Sequence, residues 1–182
     1  LTMDIIVDGI TKTYGRQNAV DELSFQVKTG EVLGFLGPNG AGKTTTIRIL
    51  TGNLLPSGGK VTICYHDIVS EIKKIQKMIG LCPQEPSLYK FLSGNENIEF
   101  FGNLYLMSKN EIKARAEKLL KTLGLYEARK RKTKGYSGGM LRQLSLIVSL
   151  INNPEILFLD EPTVGMDARV RRKVWNFLKS MK

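Results

Sequence analysis

The sequence is short of cysteine, histidine, acidic charge and long apolar runs, and each shortage removes a class of protein. Cys64 and Cys82 are too few for a disulfide framework and stand at no metal-ligand spacing. A reducing, cytosolic setting is expected, with both thiols acting as small buried hydrophobes. The lone histidine, His66, near a strand end, reads as structural. The longest apolar stretch, Leu144 to Ile151, contains two serines. It falls far short of the ~20 residues that span a bilayer. The N-terminal LTMDIIVDG lacks the basic-then-apolar order of a secretory signal. No internal repeat or low-complexity tract is present.

What remains is ordinary globular composition: 182 residues, 42% hydrophobic and 24% charged, enough for one domain with a sizeable core. Lys and Arg number 27 against 17 Asp and Glu, for a net charge of +10. That balance invites nucleic acid, a nucleotide or an anionic membrane surface. Two clusters carry much of it: Arg129, Lys130, Arg131, Lys132 and Lys134, then Arg169, Arg171, Arg172 and Lys173. The first has no interleaved aromatic to stack on single-stranded bases, so it reads as a solvated face.

The most informative stretch is VLGFLGPNGAGKTTTI, from Val32 to Ile47. Gly37, four residues (Pro38, Asn39, Gly40, Ala41), then Gly42, Lys43 and Thr44, followed by Thr45, reproduce the G-x-x-x-x-G-K-[ST] pattern. Its glycines let a backbone wrap closely and take positive φ, so that peptide N–H groups converge on an anion. The apolar run Val32 to Leu36 reads as a buried strand before the loop, and Thr44 to Leu50 as the helix after it. That helix start adds further N–H groups and its positive dipole end. Lys43 supplies a full charge and Thr44 a hydroxyl for Mg²⁺, so a nucleoside triphosphate with Mg²⁺ is the expected ligand.

Around that loop the pattern alternates. Ile5, Val7 and Ile10, then Leu23, Phe25 and Val27, mark two half-buried strands flanking a loop at Thr11 to Arg16. Within it, Tyr14 could cap a core edge or stack on a planar ligand. Short strands are expected over Val61 to Cys64 and Met78 to Cys82, with a brief helix over Ile68 to Lys77. Gln84 then sits on a stiff loop between Pro83 and Pro86. Helices over Asn95 to Tyr105, Lys109 to Leu123 and Gly139 to Ile151 interrupt the α/β pattern as an inserted helical section. A buried strand at Glu155 to Leu159 ends in Asp160 and Glu161, and a last helix runs from Ala168 to Met181. Two carboxylates at a strand end accompany a phosphate loop well: Asp160 can reach a magnesium shell, and Glu161 can polarise an attacking water.

Together these residues resemble the ATP-binding-cassette family over almost the whole chain. The resemblance rests on Tyr14, GPNGAGKTT at Gly37 to Thr45, Gln84, YSGGM at Tyr136 to Met140, ILFLDEP at Ile156 to Pro162, and VGMD at Val164 to Asp167. It is most like the branch that drives drug- and polyketide-type exporters. It implies an α/β fold: a P-loop NTPase core with a mostly parallel, RecA-like sheet, an N-terminal antiparallel β part and an inserted helical subdomain. The core would comprise about residues 1–85 and 154–182, and the helical subdomain about 86–153.

The same resemblance implies roles. Tyr14 stacks on adenine; the backbone from Gly37 to Thr45 and Lys43 hold the β- and γ-phosphates; Thr44, Gln84 and Asp160 surround Mg²⁺; Glu161, with Gln84 and Lys43, carries catalysis. Ser137, Gly138 and Gly139 would close on ATP held by a second cassette subunit, making a head-to-tail dimer with two ATP between subunits and Asp167 bridging the sites. Further partners would be a membrane-spanning transporter subunit, which would hold the chain on the inner face of the cell membrane, and no specific nucleic acid. The rival reading is a soluble cassette ATPase acting on nucleic acid or ribosomes, for which the basic run speaks.

Two departures from the family pattern stand out. Tyr136 and Met140 replace the usual leucine and glutamine of the signature, while Ser137, Gly138 and Gly139 are intact. The family's switch histidine falls beyond Lys182, and His66 lies too far upstream to serve. The strand that would lie between the P-loop and Asp160 strands falls there too, so a C-terminally truncated cassette with a gap in its central sheet is expected.

Overall fold

A computed structural model describes residues 3–181. The chain divides into two compact units, 1–79 and 80–182. In the first, β1 (Met3–Tyr14) and β2 (Gln17–Lys28) form a long antiparallel hairpin. The expected loop over Thr11 to Arg16 shrinks to Gly15 and Arg16, because Tyr14 pairs with Gln17 and Gly15 takes φ 58°. A type II′ turn requires positive φ at that first central position. β3 (Gly58–Ile63) pairs with β1, and β4 (His66–Asp67) with β3, giving the antiparallel order β2-β1-β3-β4. A register shift after Val7 brings backbones together: a Cβ on Gly59 would stand 2.3 Å from the Gly9 carbonyl oxygen. Ile5, Val7, Ile10, Val61 and Ile63 are buried on this sheet.

Helix α1 (Lys43–Leu50) buries Thr46, Ile47, Ile49 and Leu50, and α2 (Ile72–Met78) buries Ile75. His66 Nδ1 lies 3.0 Å from Glu71 Oε1, a structural pairing as expected. Residues 32–36 do not form the expected strand, and they are not buried: Val32 is 66% and Leu36 96% exposed. Among the described residues none forms a ladder with them, and a strand cannot bury its backbone groups without a ladder neighbour.

β5 (Ile79–Cys82), which lies in the second unit from Gly80 onward, pairs with β6 (Ile156–Leu159), the one buried residue of β6 being Phe158. Between them in sequence lie α3 (Gly94–Leu104), α4 (Lys109–Leu123) and α5 (Gly138–Ser149), and α6 (Ala168–Lys179) follows. Helices α3 and α4 both begin with capping boxes, Ser93 with Glu96 and Ser108 with Glu111, and α4 stops at Gly124 in the left-handed region at φ 81°. The core joins Ile98, Ile112, Leu119, Leu120 and Leu123 to Leu144, Leu146, Ile147 and Leu150. Fully buried Asn97 fastens the segment before α3: it accepts from Tyr89 N at 2.8 Å and donates to Tyr89 O and Ser93 O.

Candidate functional site

The glycine-rich loop leads straight into α1. Gly40 and Gly42 take φ 84° and 82°, and Gly42 is the residue on which the helix starts. No side chain caps that start. A helix N-terminus without a side-chain cap directs its first N–H groups and its positive dipole outward, which suits an anion. Gly42 is fixed by packing as well as by φ, since a Cβ there would lie 2.3 Å from the Ala19 carbonyl oxygen. Lys43 Nζ donates to Gly37 O and Pro38 O, both at 2.7 Å, so the ammonium sits within the loop it is expected to serve. Pro38, Asn39, Gly40, Ala41 and Thr44 are exposed, and Thr45 is half-buried. Tyr14 ends β1 with 51% of its surface exposed and Lys12 Nζ 5.5 Å from its ring centroid. Its ring therefore does not seal a core edge.

In the second unit, β5 and β6 deliver Gln84, Asp160 and Glu161. Asp160 N donates to Cys82 O at 2.9 Å, which aligns the two strand ends. Beyond them, Gln84 Nε2 donates to Glu161 Oε2 at 3.2 Å. Glu161 holds φ 50°, a left-handed backbone that a side-chain-bearing residue adopts at a cost of about 1–3 kcal/mol. Burial pushes the Cys82 thiol up, and Cys82 Sγ donates to Ser145 Oγ. It is the inert, packed cysteine that its sequence context suggests.

The Ser137 to Gly139 segment opens α5. Ser137 is its N-cap and accepts from Met140 N at 3.3 Å. Gly138 faces open space, whereas a Cβ on Gly139 would lie 3.2 Å from Gly165 O. The helix start therefore abuts the turn leading to Asp167, which caps α6 by accepting from Val170 N at 2.9 Å. Tyr136, the departure from leucine, is buried, donates to Ala128 O at 2.7 Å and occupies space that Gly94 leaves empty.

Gly37 to Thr45 thus gather at one helix start, and Gln84 is joined to Glu161 at two strand ends. Sequence reasoning missed Arg142. It is 8% exposed on α5, and its Nη1 donates to Pro83 O at 2.9 Å. A charged residue amid the apolar face of α5 was the available signal.

The sequence pattern of ABC transporters matches residues 20–164. The chain is 44% identical over 177 residues to a daunorubicin resistance ATP-binding protein of Streptomyces coeruleorubidus, covering 97% of this chain and 56% of that one. It is 41% identical to a doxorubicin resistance ATP-binding protein of Mycobacterium tuberculosis, covering 99% and 55%. A Nod factor export ATP-binding protein of Ralstonia nicotianae is 38% identical, with 96% and 54% covered. The chain thus spans about half the length of the curated relatives it matches. Among solved structures, a dimeric post-hydrolysis ATP-binding cassette bound to ADP and Pi superposes with a TM-score of 0.87 at 29% identity, covering 97% of this chain and 82% of that one. The fold is accordingly the α/β cassette fold, and the chain belongs to the ABC transporter family.

Proposed function

We propose that this chain binds ATP with Mg²⁺ and, paired head-to-tail with a second cassette, hydrolyses it to drive export through separate membrane-spanning subunits. The observation that carries this reading is the loop from Gly37 to Thr45. Its left-handed glycines, helix start without a side-chain cap and internal Lys43 ammonium form a cradle for a polyphosphate. Thr44, Gln84 and Asp160 offer hydroxyl, amide and carboxylate oxygens, the donor class Mg²⁺ takes. When bound, the ion would neutralise phosphate charge. Glu161, steadied by Gln84, would orient and polarise the attacking water, and Tyr14 would stack on the base.

Ser137, Gly138 and Gly139 would offer the start of α5 to the γ-phosphate on the partner cassette, with Asp167 beside the shared boundary. The named activities of the resistance and export relatives support an export role, and a place on the inner face of the membrane would follow from binding a membrane-spanning subunit. No described helix is long and apolar enough to cross a bilayer. We assign residues 1–85 and 154–182 to the core and 86–153 to the helical subdomain. The basic run is partly engaged locally: Arg129 lies 3.7 Å from the Tyr126 ring centroid and Arg131 donates to Gly135 O, which supports a structural role over nucleic-acid binding.

The test is MgATP hydrolysis by the full chain, with Lys43→Ala as the control. Loss of nucleotide binding in the variant is expected. An unchanged affinity would overturn the assignment, and RNA or DNA binding that weakens with salt would favour the soluble alternative.

A further inference from the structure

We propose that Arg142 is a positioning residue for Gln84, linking the signature helix to the carboxylate at Glu161; this rests on the function proposed above. Arg142 is one helical turn past Ser137 to Gly139, on a helix anchored by fully buried Leu144, Leu146 and Ile147. As a residue Arg142 is buried, at 8% exposed, and it has no carboxylate ion pair among the described residues. A buried charge held by a backbone carbonyl is costly compared with an apolar side chain of similar volume, so packing does not account for an arginine here.

What Arg142 does hold is specific. Pro83 O belongs to the planar peptide unit whose nitrogen is that of Gln84. A 2.9 Å hydrogen bond from Arg142 Nη1 fixes that plane, and Pro83 removes freedom on its other side. The direction in which the Gln84 side chain leaves the backbone is thereby set, and Gln84 Nε2 reaches Glu161 Oε2. At the other end of the link, the first turn of α5 packs against Gly165 O, beside the turn that ends at Asp167. Displacement of the Ser137 to Gly139 end is transmitted by a rigid helix and one guanidinium to the Gln84 and Glu161 pair. The helix that meets a partner's phosphate thus also sets the geometry of this chain's own water-activating group.

The test is a double-mutant cycle on MgATP hydrolysis in the full chain, with nucleotide affinity measured alongside. Arg142→Met should lower kcat about tenfold while KM for ATP stays within about twofold, because a misplaced positioning group affects turnover more than binding. Arg142→Lys, which keeps a cationic donor, should recover to within about threefold of the parent. In a Gln84→Ala background Arg142→Met should add less than about twofold, since a residue acting through Gln84 has nothing left to position. Should Arg142→Met fail to fold, Arg142→Lys takes its place, with a smaller loss expected in the parent and none in the Gln84→Ala background. Parent-level turnover in Arg142→Met, equal losses with and without Gln84, or loss of ATP affinity together with turnover would each overturn the assignment. If the parent binds no MgATP, the proposed function itself falls and this inference with it; if the parent binds and turns over, the cycle judges Arg142 alone.

Discussion

Gln84 and Glu161, 77 residues apart in sequence, are joined by a 3.2 Å hydrogen bond from the amide to the carboxylate. The donation uses the nitrogen end of Gln84 and leaves its amide oxygen for a cation. Under the proposed function, one side chain would therefore serve a metal and steady the base at the same time. Glu161→Gln removes the anionic acceptor without changing shape. Hydrolysis is expected to fall at least about a hundredfold, with ATP affinity within about threefold of the parent. Single-turnover kinetics with an independent binding titration separate the two, and parent-level turnover would remove Glu161 from the mechanism.

Gly42→Ala tests the loop backbone independently of charge. Its Cβ would stand 2.3 Å from Ala19 O at a residue with φ 82°, so steric clash and left-handed strain act together. A loss of about 2–4 kcal/mol in folding stability is expected, together with weakened nucleotide binding. Lys43→Ala should lose binding with stability nearly unchanged. Chemical denaturation of both variants draws the distinction, and a Gly42→Ala protein as stable as the parent would show that the loop relaxes freely.

The local parts of this design were legible in the sequence, and the long-range ones were not. Helix α4 occupies Lys109–Leu123, as its apolar spacing predicts, and the glycine-rich loop lies before α1, because both depend on neighbours a few residues away. Val32 to Leu36 looked like a buried strand because apolar content reports a wish for burial and not the presence of a ladder neighbour. The Arg142 to Pro83 bond spans 59 residues, and no local pattern encodes which carbonyl a buried guanidinium will find. Tyr136 departed from the family pattern in sequence; its reason, the Ala128 carbonyl and the space at Gly94, appeared only in three dimensions.

Acid should weaken the fold through specific carboxylates. Hydrogen bonds from Lys74 and His66 hold Glu71 down to about 2 from 4.5, and Ser93 and Ser108 hold the capping-box partners Glu96 and Glu111 below the ordinary range. Each folded-state pKa is depressed, so the contribution is fully present above the unfolded value and is lost as pH falls through the folded one. Stability should decline below about pH 4.5, more gently at high salt because Glu96 and Glu111 are exposed and Glu71 is half-buried. Denaturation midpoints measured at falling pH provide the check: Glu71→Gln should flatten the curve, and an unchanged slope would deny the Glu71 contribution.

Gly94 and Tyr136 give a coupled pair that only this geometry predicts. A Cβ on Gly94 would lie 2.6 Å from the Tyr136 hydroxyl oxygen and 3.2 Å from Arg129 O. Gly94→Ala should therefore cost about 1–3 kcal/mol by overpacking, with little helix-propensity gain to offset it because Gly94 is the first residue of α3. Tyr136→Phe alone forfeits the bond to Ala128 O, about 1 kcal/mol. Combined, the two changes should be clearly less damaging than their sum, because removing the hydroxyl clears the space that the new methyl group needs. A coupling of at least about 0.5 kcal/mol in a chemical-denaturation cycle is expected. Strict additivity would mean that Arg129 O, and not Tyr136, is what holds Gly94 to glycine.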